Sequence, residues 1–94
     1  MPALLIRLKV TDYDTWRRVF DEDAGTRRAN GERGGHVFRS TDDPAELWLL
    51  LEWDDLRRAR LFARSDELLD ELELAGVADR PDYWYLEETD RPTS

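Results

Sequence analysis

An α+β fold is predicted by three features of the chain. Leu4, Ile6, Leu8 and Val10 alternate with Leu5, Arg7 and Lys9 in the two-residue period of a strand. Residues Glu46 to Trp53 read E-L-W-L-L-L-E-W, apolar on both parities and too short and sharply bounded for a helix. Residues 13–29 and 54–77 carry apolar side chains at helical spacing. The 94 residues make one domain, and folding at that size buries only roughly two thirds of the surface of the unfolded chain.

The first strand, Ala3 to Val10, turns its fully apolar face toward the helices. Thr11 or Asp12 then caps a helix whose core stripe is Tyr13, Trp16, Phe20 and Ala24. Asp23 and Arg27 are spaced as an exposed i,i+4 pair; Gly25 weakens the helix, and Ala29-Asn30-Gly31 stops it, with Asn30 as a left-handed cap. Gly31 to Gly35 reads as a glycine loop, followed by a short second strand from His36 to Thr41 of unassigned parity. Asp42-Asp43-Pro44 turns the chain into the third strand, Glu46 to Trp53, with Leu47, Leu49, Leu51 and Trp53 on the helix side. In residues 54–77, Leu56, Ala59, Phe62 and Ala63 lie roughly 160° around the wheel from Leu68, Leu69, Leu72 and Ala75. One straight helix does not bury both sets, so a kink is expected near Arg64 and Ser65, with Ser65 as a new N-cap and Gly76 as the stop. The last strand, Asp82 to Glu88, puts Trp84 and Leu86 on one face and Tyr83, Tyr85 and Glu87 on the other.

Strand, helix, strand, strand, helix, strand is the ferredoxin-like split repeat: a four-stranded antiparallel sheet with both helices on one face, the second one kinked. The domain spans residues 1–88, and 89–94 form a polar, frayed tail. Helices this few cover one sheet face only. A second copy of the chain is expected to cover the other, giving a homodimer.

Composition narrows the functional classes. A net charge of -8 repels phosphate backbones, and the thirteen arginines are interleaved with acids, so nucleic acid is excluded as a partner. The absence of Cys removes disulfides and thiolate catalysis, and a single His leaves carboxylates alone for any metal site, so none is assigned. No apolar run approaches the roughly 20 residues that span a bilayer, and the N-terminus lacks the basic-then-apolar pattern of a leader. A cytoplasmic protein with no membrane partner is the expectation.

V-T-D-Y-D-T-W-R-R-V-F-D (10–21), G-G-H-V-F-R-S-T-D-D-P (34–44), L-L-E-W-D-D-L-R-R-A-R (50–60), S-D-E-L (65–68) and A-G-V (75–77) resemble a family of small bacterial proteins. Its members are described as cyclase-like or antibiotic-biosynthesis-monooxygenase-like, within the dimeric α/β-barrel superfamily. The resemblance implies a homodimeric α/β barrel with a pocket between sheet and helices or at the dimer seam. It also implies a cofactor-independent monooxygenase or cyclase of secondary metabolism acting on an aromatic or polyketide-like molecule. The haem-degrading branch uses a His on the second helix, and residues 54–77 hold none. The quinone-forming oxygenases use an Asn and a Trp; the only Asn is Asn30, at a helix end, while Trp48, Trp53 and Trp84 offer the aromatic.

The expected outer sheet face collects Arg7, Lys9, Trp48, Leu50, Glu52, Tyr83 and Tyr85. Read as a pocket, Trp48, Glu52 and Tyr83 hold a planar ligand and Arg7 or Tyr85 stabilises an oxyanion. Read as an interface core, the same residues meet a second sheet, with Arg7 paired to Glu52. His36 titrates near neutrality and is the candidate general base; the plain alternative is a surface histidine. Trp16 is the best wall for a pocket on the helix side, although its spacing with Tyr13 and Phe20 also fits core packing. Two functions follow: a cofactor-independent oxygenase or cyclase using substrate-derived carbanion chemistry, or a non-catalytic dimeric binding or scaffold protein of the same fold.

Overall fold

A computed structural model describes residues 1–78 and 80–93, with Glu67 described by its backbone alone. The elements run β1 (Ala3–Lys9), α1 (Tyr13–Glu22), α2 (Ala24–Ala29), β2 (Glu32–Arg39), β3 (Glu46–Trp53), α3 (Leu56–Ala63), α4 (Asp66–Leu74) and β4 (Asp82–Leu86). The strands form one antiparallel sheet in the order β2-β3-β1-β4, the ferredoxin-like arrangement. Leu4, Ile6, Leu8, Leu47, Leu49, Leu51 and Trp53 are buried on one face and pack with Trp16, Phe20, Ala59 and Phe62 of the helices. Strict alternation along β1 and β3 produces this: every second side chain reaches the core.

The helix ends follow local chemistry. Asp12 caps α1, its carboxylate accepting from the Asp14 amide at 3.2 Å and the Thr15 hydroxyl at 2.7 Å. The expected kink lies between α3 and α4, where the Ser65 hydroxyl accepts from the Leu68 amide at 3.1 Å and donates to the Phe62 carbonyl at 2.8 Å. Gly76, at φ 73°, ends α4 in the conformation that glycine adopts without a Cβ penalty. The Trp53 indole is buried against Phe62 with ring centroids 5.0 Å apart, and among the described residues its Nε1 has no acceptor.

Several expectations need correction. The first helix breaks at Asp23 and not at Gly25, leaving Ala24 exposed. Arg27 does not pair with Asp23 on the surface: it is 3% exposed and bonds to Glu32 at 2.6 Å. Asn30 stays right-handed, its side chain donating to the Thr26 carbonyl at 2.8 Å, and Gly31 carries the positive φ of 119°. That φ favours glycine at position 31, and a Cβ there would also crowd the Asp54 carboxylate at 2.6 Å. The glycine stretch is strand and not loop: β2 begins at Glu32, with a bulge between Glu32 and Gly34, and ends at Arg39. At Gly35 a Cβ would meet the Leu50 carbonyl oxygen at 2.5 Å, so that glycine serves close strand pairing.

The largest correction concerns β4, whose faces are reversed. Tyr85 is paired with Leu4 and Tyr83 with Ile6, so both tyrosines share the helix side with those buried residues. Trp84, paired with Leu5, lies on the outer face and stacks on Trp48 at 5.7 Å between centroids. Nor does Arg7 pair with Glu52. It bonds to Asp82 across β1 and β4, while Glu52 lies 3.9 Å from Arg91. Ion pairs from Glu88 to the N-terminal amine and to Arg91, each at 2.7 Å, tie down the segment after β4. Ser94, the end of the expected tail, lies outside the described residues.

Candidate functional site

A small cavity of about 20 Å³ lies between the sheet and the helices, room for roughly one water. Its floor is Ile6, Leu8, Leu49 and Leu51 of β1 and β3. Trp16 and Phe20 of α1, stacked at 4.9 Å, form one wall; Phe62, Leu68 and Leu72 form the opposite wall. Tyr83 closes the β4 side.

Two ionisable residues interrupt this apolar lining, Arg27 and Glu71. The Arg27 guanidinium lies 3.6 Å from the Phe20 ring centroid, with Nε bonded to Glu32 and Nη1 donating to the Phe20 carbonyl at 2.7 Å. Such pairing is the condition for a cation this deep. Burial, a hydrogen bond with Asp23 and the Asp23 charge push the Glu71 carboxyl up to about 8, against the opposing pull of Arg27. Near neutral pH Glu71 is therefore a carboxylic acid, able to donate a hydrogen bond. Burial and the neighbouring Tyr85 also raise the Tyr83 phenol above its ordinary range, with Arg80 acting in the opposite direction. The arrangement offers an aromatic cavity whose lining carries three polar side chains, Arg27, Glu71 and, from β4, Tyr83.

The sheet separates the residues expected from sequence. Trp16 and Tyr83 line the cavity, and Tyr85 lies on the same side of the sheet with Arg60 5.2 Å from its ring centroid. Arg7, Trp48 and Glu52 lie on the outer face. His36 pairs with Leu50 there, is exposed, and stacks on Phe38 at 6.0 Å. His36, Arg7 and Tyr85 therefore do not form one constellation in a single copy of the chain. Arg27 and Glu71 were not anticipated. For Glu71 a signal exists, since it shares the helical stripe of Leu68, Leu72 and Ala75. Arg27 carries no comparable signal, because its partner Glu32 comes from the strand.

Beside the cavity, a groove of about 580 Å³ runs between α2, α3 and α4, with Asp23, Thr26, Arg58, Asp66 and Glu71 among its lining. Among the described residues no cluster of His, Cys, Asp or Glu is arranged to hold a metal ion. No helix there is long and apolar enough to cross a membrane.

No family model matches the chain, and no curated protein matches it in sequence. Solved structures do match. An antibiotic-biosynthesis-monooxygenase-like protein from Bordetella bronchiseptica is 16% identical with a TM-score of 0.75, covering 94% of this chain and 96% of its own. A second such protein, from Caulobacter crescentus, is 18% identical with a TM-score of 0.73, over 95% and 90% of the two chains. SnoaB, a cofactor-independent oxygenase from Streptomyces nogalater, is 15% identical with a TM-score of 0.72, over 96% and 94%. By its strand order and these likenesses, the chain has the ferredoxin-like fold of the antibiotic-biosynthesis-monooxygenase-like proteins.

Proposed function

We propose that this chain is a cytoplasmic homodimer that takes a small planar aromatic or polyketide-like molecule between its sheet and its helices, and oxidises it without a bound cofactor. The observation that carries this reading is the aromatic cavity with Arg27, Glu71 and Tyr83 in its lining. Trp16 and Phe20 supply stacking faces, and the polar lining residues supply hydrogen bonds to a phenol or carbonyl oxygen. In the reaction an activated C–H loses its proton to a base, and the carbanion passes electrons to dioxygen. A methylene then becomes a carbonyl and water is released.

Arg7, Trp48 and Glu52 belong to the dimer seam in this reading, and Tyr83 keeps its ligand role and adds the oxyanion role first assigned to Tyr85. Anthrone in air is the probe: one dioxygen converts it to anthraquinone and one water. Turnover above the uncatalysed rate is expected, lost in Tyr83→Phe and retained in Tyr85→Phe. Equal loss in both variants, or in neither, removes Tyr83 from the site. The second reading, a binding or scaffold protein without a reaction, is favoured by one observation: about 20 Å³ holds no organic ligand until side chains move. Anthrone bound without any turnover selects it.

A further inference from the structure

Arg27 is the one buried charged residue among those described, and it lines the cavity. Its guanidinium is held from three directions. Nε donates to the Glu32 carboxylate at 2.6 Å, Nη1 donates to the Phe20 carbonyl at 2.7 Å, and the central carbon sits 3.6 Å from the Phe20 ring centroid. Phe20 is itself stacked on Trp16, so the cation is anchored to the aromatic wall. A guanidinium carries five N–H donors, and these two bonds leave three, two of them on Nη2. Among the described residues Nη2 has no acceptor, yet Trp53 Nε1 is the only fully enclosed side-chain polar atom there without a partner. Nη2 therefore opens onto space, and the space that Arg27 lines is the cavity.

We propose that Arg27 anchors the ligand and that the molecule taken is an anion, an aromatic ring bearing a negative oxygen that accepts from Nη2. The enolate of a ketone such as anthrone, a phenolate and an arene carboxylate share this chemistry. A hydrogen bond from a cation to an anion is about twice as strong as a neutral one, and a donor fixed in advance loses little freedom on binding. Nη2 therefore favours the anion over its conjugate acid. The rest of the lining agrees: Tyr83 offers a phenol, and Glu71 keeps its proton near neutrality, so no second carboxylate competes for the guanidinium from within the cavity. Glu32 balances the Arg27 charge from outside that lining. The assignment rests on the cavity being the ligand site, and holds whether or not the ligand is then oxidised.

4-Nitrophenol, whose phenol and phenolate absorb at separate wavelengths, is the probe, mixed with the intact chain in a buffer at the probe's own pKa. The phenolate is expected to bind about tenfold more tightly than the phenol, a lowering of the bound probe's pKa by about one unit, so the phenolate band grows as protein is added. Arg27→Gln is expected to abolish that growth. If the single variant, which leaves Glu32 buried and unpaired, does not fold, Arg27→Gln combined with Glu32→Gln removes both charges together and carries the test. Equilibrium dialysis reports binding itself. A band that shrinks, or stays level while the probe binds, overturns the anion and leaves the cavity as a ligand site. Growth that persists in a folded variant overturns Arg27 as the anchor. A probe that does not bind at all overturns the anion and the cavity reading together.

Discussion

Glu71 keeps its proton where an ordinary glutamate is ionised, and that affinity links the fold to pH. Its folded value of about 8 lies above the ordinary glutamate value of 4.5, so the folded chain binds the proton more tightly than the unfolded chain. The sign follows: the contribution to stability is complete below the unfolded value and is lost as pH rises to the folded one. Urea unfolding across that window is expected to show wild-type stability falling relative to Glu71→Gln. The difference should be on the order of 1–2 kcal/mol once solvent screening at a half-buried site is allowed for. A constant difference between the two proteins across the window would show that Glu71 does not titrate as described. Glu71 was readable in part, as one acid on the stripe of Leu68, Leu72 and Ala75. Arg27 was not: at four residues from Asp23 it imitates a surface pair, and its burial comes from Glu32 and Phe20, which chain folding brings to it.

Among the elements, each of the two helical arms is broken by a joint. The α3–α4 joint was legible because its two apolar stripes disagree in phase and Ser65 supplies a cap. The α1–α2 joint was not, since Asp23 interrupts a stripe that otherwise continues. Ser65→Ala removes the acceptor for the Leu68 amide and is expected to cost about 1 kcal/mol, lowering the thermal midpoint by roughly 4–8 °C at this chain length. An unchanged midpoint would mean that α4 is fixed by packing alone. The alternation of β1 and β3 was equally plain. β4 misled because Tyr83, Trp84 and Tyr85 are aromatic on both parities, so periodicity offers no choice of face. Pairing with β1 decides it, sending the two phenols inward and the indole outward.

For the whole molecule, the open question of sequence becomes a surface. Phe38, Trp84 and Leu86 are 54%, 40% and 41% exposed on the outer sheet face, beside the partly buried Leu5, Trp48 and Leu50. A contiguous apolar face is uncommon on a stable monomer, least of all on one of 94 residues. Sedimentation at micromolar concentration is expected to give a dimer, and Trp84→Glu, which puts charge at that face, a monomer. A wild-type monomer would remove the homodimer from the account. The face holds one more feature: Trp48 and Trp84 reach across β1 and lie nearly parallel, 16° apart. Two indoles so close share their electronic transitions. The outer sheet face therefore contains a coupled chromophore, an optical signature native to the chain.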